Sequence, residues 1–197
     1  MSIKIFDEYY NTLQTKLDSK KTDFELNENR AHNTTIVRFM LDNSNNINMY
    51  CGEMSVFRNN FYKYINENAN DDEALGDYLR KKLIESLFSF INRENSKLNI
   101  YLEKYSNDYF DDLIDLRIFS EGIATGKINI YKLNDKLLLK SGLSHISYTD
   151  TNIVRMERDK YTHEAICAIN VSGEIMETWK DAFVYMKSAA ELVSIPN

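Results

Sequence analysis

Apolar residues in this chain recur at two different periods that alternate along its length, and that alternation narrows the architecture more than any other feature. Ile5, Tyr9, Leu13 and Leu17 fall at helical spacing over residues 3–19. A second helix is expected over 29–42, carrying Ala31, Val37, Phe39 and Leu41. Ile47-Asn48-Met49-Tyr50-Cys51-Gly52 then alternates and stops at a glycine, the pattern of a strand. Ser55 follows as the cap of a helix with Val56, Phe57, Phe61, Tyr62, Tyr64 and Ile65.

The longest helix opens at Asp71-Asp72-Glu73, where its dipole favours acid, and carries Leu75, Leu79, Leu83, Leu87, Phe90 and Ile91. A strand over 98–102, a helix from Asn107 or Asp108 to near Gly122, and a strand from Gly126 come next. Short strands are expected at 145–149, 153–157 and 164–170, and a helix at 174–192 with Trp179 and Phe183 closes the series. Strands alternating with helices, then a meander and a last helix, predict an α/β domain: a mixed central sheet flanked by helices. No repeat and no linker interrupts it. The asparagine clusters at 43–46 and 66–70 read as surface loops.

Composition sets outer limits. The 197 residues are 43% hydrophobic, enough for one core and too apolar for a disordered chain. Lys and Arg number 24 against 30 Asp and Glu, a net charge of -6, so indiscriminate coating of nucleic acid is not expected. Cys51 and Cys167 lie far apart without CxxC spacing and read as small buried residues of a reducing cytoplasm. The first residues turn acidic at once, so no signal peptide is expected, and no apolar run approaches a membrane span. The Gly-x-Ser-x-Gly, P-loop and Gly-x-Gly-x-x-Gly patterns are all absent. Neither a cofactor nor a metal site is expected: His163 and Glu164 lack a third ligand nearby and a His-x-x-x-His helix.

From Gly126 onward the order of residues becomes more specific. Gly126-Lys127-Ile128-Asn129-Ile130-Tyr131 is followed by His145-Ile146-Ser147-Tyr148-Thr149-Asp150, then Arg155 and Glu157, then Ala165-Ile166-Cys167-Ala168-Ile169-Asn170 and the helix with Trp179. This order resembles the C-terminal half of phospholipase D-like domains, in their divergent prokaryotic branch. The strand at 47–52 with Ser55 resembles that family's first strand and turn. The resemblance implies the fold over residues 23–197, with residues 1–22 as an extra N-terminal helix and candidate interface. It also implies a homodimer, and a subunit of a prokaryotic defence or mobile-element system would fit it.

The departure from the family is as informative. The catalytic pattern is H-x-K-x(4)-D followed by Gly-Ser-x-Asn. From His145 the lysine slot holds Ser147 and the aspartate slot holds Asn152, and no Gly-Ser-x-Asn follows. In that chemistry histidine attacks phosphorus while a fixed cation holds the non-bridging oxygens, and losing one such stabiliser costs about a hundredfold or more. The resemblance therefore implies a non-catalytic, partner-binding or accessory protein.

His145 and Glu157 are the catalytic candidates, with Ser147, Asp150 and Arg155 as ligand-binding partners. The alternatives stand beside them: a structural strand histidine, and an Arg155–Glu157 ion pair. His145, Ser147 and Thr149 share one face of a strand, and Ile153, Arg155 and Glu157 one face of the next. A phosphodiesterase or nuclease using His145 in an altered site is the rival function. Arg80, Lys81 and Lys82 form the densest basic segment, which could bind nucleic acid beside Tyr62, Tyr64 and Tyr78, although a solvated face is the simpler reading. Gly52-Glu53-Met54-Ser55 could present amides to an anion. His32 reads as solvent-facing. The 13 Tyr and 10 Phe exceed what one small core needs and point to a protein interface.

Overall fold

The computed structural model describes residues 2–69, 74–134, 143–158 and 164–193. In chain order the elements are α1 (Ile3–Asp18), β1 (Asp23–Asn27), α2 (Arg30–Asn43), β2 (Asn46–Cys51), α3 (Asn59–Asn68), α4 (Leu75–Ile91), β3 (Lys97–Leu102), α5 (Leu116–Ala124) and β4 (Ile128–Leu133). They are followed by β5 (Ile146–Thr149), β6 (Val154–Glu157), β7 (Ala165–Ile169), α6 (Gly173–Ser188) and β8 (Ala190–Leu192). The eight strands form one mixed sheet in the order β1-β7-β6-β5-β2-β3-β4-β8. β2, β3 and β4 run parallel, whereas β5, β6, β7 and β1 form an antiparallel meander attached to β2. A mixed sheet with helices on both sides is what the alternating periods predict.

The pleat divides the side chains. One face carries Ile47, Met49, Leu98, Ile100, Ile128 and Ile130, which join Phe6 and Leu13 of α1 and the apolar stripes of α2 to α5 in the main core. The other face carries Tyr50, Tyr101, Ile146, Tyr148 and Val154, packed under Met176, Phe183 and Met186 of α6. Tyr131 stacks on Tyr101 at 4.8 Å, and Phe183 meets Tyr101 and Tyr148 edge-on. Beyond the reach of α6 the tyrosine row gives way to a ladder of amides: Asn129 donates to Asn99, and Asn99 to Asn48.

Several expected elements are cut differently. The helix expected from Ser55 is a short 3-10 turn, Ser55–Phe57, and then α3, because Arg58 is extended (ψ 142°) and bridges to Leu113. The helix expected from Asn107 also divides. A 3-10 segment, Asn107–Asp112, precedes α5, whose N-cap Asp115 accepts from the Ile118 N–H at 3.0 Å. The last helix stops at Ser188, and Ala190–Leu192 pairs with β4 as an edge strand. β1 is a strand that the sequence reading does not expect: Phe24 and Leu26 alternate with polar residues over only five positions, and both are exposed. Its outer edge is covered by side chains of α1: the Tyr9 hydroxyl donates to the Leu26 carbonyl and Lys16 Nζ to the Phe24 carbonyl, both at 3.1 Å. The acidic start at 71–73 lies outside the described residues, leaving Asp77 as the acid in the first turn of α4.

His32 is not solvent-facing. It lies between α1 and α2, edge-on to Phe6 (5.2 Å) and Tyr9 (4.7 Å), and burial pulls its pKa below the ordinary histidine value. Cys51 and Cys167 are both free, and burial pushes each thiol up to about 12. Among the described residues no helix is long and apolar enough to cross a membrane.

Candidate functional site

β2 and β3 end side by side, β5 starts beside them, and β6 ends next to β5. A cleft of about 790 Å³ opens at this seam, lined by residues that include Gly52, Glu53, Glu103, Lys104, Ser144, His145, Ser147, Arg155, Glu157 and Arg158, with Arg30 and Asn33 of α2 on one wall. Strand ends at a change of connection are where α/β sheets place their ligands.

His145 immediately precedes β5, and the Glu157 N–H donates to its carbonyl at 2.8 Å, which aligns the two side chains on one face. The imidazole sits over Gly52: a Cβ at that position would lie 3.2 Å from His145 Cε1. Tyr50 meets the ring edge-on at 5.6 Å. Nδ1 contacts Glu157 Oε2 at 2.5 Å, and Nε2 contacts Glu103 Oε2 at 2.9 Å. Both ring nitrogens are therefore engaged by carboxyl oxygens, one on each side of the ring. A nitrogen held against a carboxyl group is not free to approach a phosphorus atom.

Arg155 stands directly across from Ser147 in the β5–β6 register, and both are buried. Arg155 Nη2 lies 3.6 Å from Glu157 Oε1, an ion pair just outside hydrogen-bond range. Burial lowers the pKa of the guanidinium, and Glu157 opposes that effect.

The structure thus brings His145, Ser147, Arg155 and Glu157 to one cleft and leaves Asp150 out of it. Asp150 is exposed at the other end of β5, where its carboxylate accepts from the Asn45 N–H and Asn46 Nδ2 and closes the turn onto β2. Asn152, in the slot of the family aspartate, occupies the same turn with φ 60°. Four strand residues separate Asp150 from His145, roughly 16 Å at the usual rise, so the adjacency expected from sequence fails because an extended chain carries them apart. Gly52 and Glu53 line the cleft as the turn after β2, and buried Met54 takes a left-handed φ of 46° there.

The basic triplet on α4 is not one surface. Arg80 donates to Asn59 Oδ1 and to the Ile114 carbonyl, both at 2.7 Å, which locks α4 to the turns around it. Lys82 pairs with Glu85 at 2.9 Å, and of the three only Lys81 is an exposed residue. His163 lies outside the described residues, among which no group of three or more His, Cys, Asp or Glu could hold a metal ion.

Glu103, Arg30 and Lys104 are cleft residues that sequence reasoning passes over. Glu103 follows β3, and only the parallel β2–β3 pairing carries it to His145. A charged residue just past the carboxyl end of a buried parallel strand is the signal that marks it.

No family model and no curated protein matches the chain. Solved structures do. One is TrmBL2, an archaeal chromatin protein described with a novel mode of DNA binding, at TM-score 0.51 and 14% identity over 96% of this chain. This chain spans 62% of the length of TrmBL2. Another is Nuc from Salmonella typhimurium, a phospholipase D family member, at TM-score 0.51 and 9% identity, covering 88% of this chain and 99% of Nuc. The architecture is phospholipase D-like.

Proposed function

We propose that this domain is a non-catalytic phospholipase D-like protein that works by binding. The observation that carries the reading is the clamp on His145: Glu103 faces the Nε2 nitrogen and Glu157 the Nδ1 nitrogen. The family lysine is replaced by Ser147, whose hydroxymethyl group brings no charge to a developing phosphorane. Attack on phosphorus needs a free nitrogen lone pair and a fixed cation, and this arrangement offers neither at the expected places.

The test is hydrolysis of bis(4-nitrophenyl) phosphate, labelled DNA and labelled RNA by the full chain, with and without EDTA. No turnover above buffer is expected. Cleavage by the wild type that disappears in His145→Ala would overturn the reading and establish the phosphodiesterase alternative.

Partner binding is supported by exposed apolar side chains on the sheet face that α6 leaves open. Phe24 and Leu26 on β1 are 61% and 53% exposed, and Met156 on β6, across the intervening β7, is 38% exposed. Isolated apolar residues on a surface are ordinary, but three on one sheet face suit a second copy or a protein partner. Sedimentation of the wild type against Leu26→Asp tests the homodimer. A monomer at all concentrations would leave a different protein as the partner. DNA binding, as described for TrmBL2, gains no support from Arg80 and Lys82, which already have partners in this chain.

A further inference from the structure

The cleft contains more than the histidine clamp requires. Its volume of about 790 Å³ falls within the range of roughly 300–1,000 Å³ typical of small-molecule sites. Val37, Met49, Phe57 and Phe61 supply apolar lining. At the buried end lies Arg155, 5% exposed, whose Nε and Nη2 have no hydrogen-bond partner among the described residues. Glu157 at 3.6 Å offsets part of its charge without saturating its donors. Its neighbours across the sheet, Ser147 and Cys167, bring no anion, since the Cys167 thiol stays protonated. Buried donors left unsatisfied are costly, and a guanidinium presents them in a fork that matches the two oxygens of a carboxylate or phosphate.

A second cation lines the same cleft. The Arg30 guanidinium lies 3.8 Å from the centre of the Tyr64 ring and 5.3 Å from that of Phe61. The ring contacts hold the cation in place without using up its N–H hydrogen-bond donors. Glu103 and Glu157 also face the cleft, but both are directed at His145.

We propose that this cleft is a receptor site for a small organic oxyanion, a phosphate or carboxylate on an apolar body, with Arg155 as the buried anchor and Arg30 as the second cation. The inference deepens the non-catalytic reading and rests on it: the ligand is held, not cleaved. Phosphate and carboxylate share the recognition chemistry, and the probes separate them.

The test is calorimetric titration of the full chain with phenyl phosphate, benzoate and inorganic phosphate, repeated on Arg155→Gln and Arg30→Gln. Saturable binding of phenyl phosphate identifies a phosphate ligand, and binding of benzoate a carboxylate. Either is expected to weaken about tenfold or more in each variant, the loss of one charge-assisted contact. Should Arg155→Gln fail to fold, Arg30→Gln, at a partly buried position outside the sheet, still decides the matter. Absence of binding by both organic probes, or binding that a folded variant leaves unchanged, overturns the proposal. Inorganic phosphate bound as tightly as phenyl phosphate overturns the apolar-body half of it. If the wild type hydrolyses a phosphodiester while arginine-dependent binding persists, the non-catalytic reading fails and the receptor site stands.

Discussion

Ser147 and Arg155 face each other across two strands, and that pairing decides what restoring the family lysine would do. Ser147→Lys places an ammonium group in a buried position against a buried guanidinium. Like charges without solvent repel strongly, so a loss of about 2–4 kcal/mol is expected in urea denaturation, with no phosphodiesterase activity gained. A stability equal to the wild type would place the Arg155 charge elsewhere. His32 makes a second prediction. Its lowered pKa means the unfolded chain binds a proton that the folded chain resists, so its contribution is complete above the ordinary histidine pKa of about 6.5 and is lost as pH falls below it. His32→Phe keeps the edge contacts with Phe6 and Tyr9 and removes the titration. Its melting temperature should therefore fall less than the wild type's between pH 7 and pH 5; identical slopes would contradict the assignment. The His145–Glu157 alignment was legible because alternation along two strands and a tight turn are local signals. The approach of Glu103 was not, since it depends on a pairing between segments about fifty residues apart.

Among the elements, α3 and α4 approach so closely that Gly76 has no room for a side chain: a Cβ there would lie 2.3 Å from the Tyr62 carbonyl oxygen. Its N–H also donates to Asn66 Oδ1 at 2.6 Å. Alanine is better than glycine inside a helix by about 1 kcal/mol, whereas overpacking costs about 1–3 kcal/mol. Because the clash is with backbone, the second effect should prevail, and Gly76→Ala should unfold at lower urea. A stabilised variant would mean the helices are free to part. The long stripe of α4 was readable because all its apolar positions share one face. The breaks at Arg58 and before Asp115 were not, because continuous apolar spacing conceals a change of backbone direction that is set by the bridge between Arg58 and Leu113. β8, at three residues, is too short for any period to register.

For the molecule as a whole, α1 belongs to the body of the fold. Phe6 and Leu13 are buried in the main core, Tyr10 donates to Asp42 at 2.7 Å, and Tyr78 donates to Asp7 at 2.6 Å. Leu13→Ala should therefore cost about 2–5 kcal/mol of global stability in a single unfolding transition; a loss confined to local fraying of residues 3–18 would instead mark α1 as an appendage. The acidic balance of the chain does not extend to the cleft, where Arg30, Lys104, Arg155 and Arg158 stand among three glutamates. The covered edge of β1 has one more consequence. An open strand edge invites end-to-end polymerisation, the route by which sheets grow into fibrils. Here Tyr9 and Lys16 already occupy the Leu26 and Phe24 carbonyls that a recruited strand would need, and the opposite edge is only three residues long. Copies of this protein are therefore poorly equipped to add to either margin of the sheet, and growth by strand addition should be slow or absent.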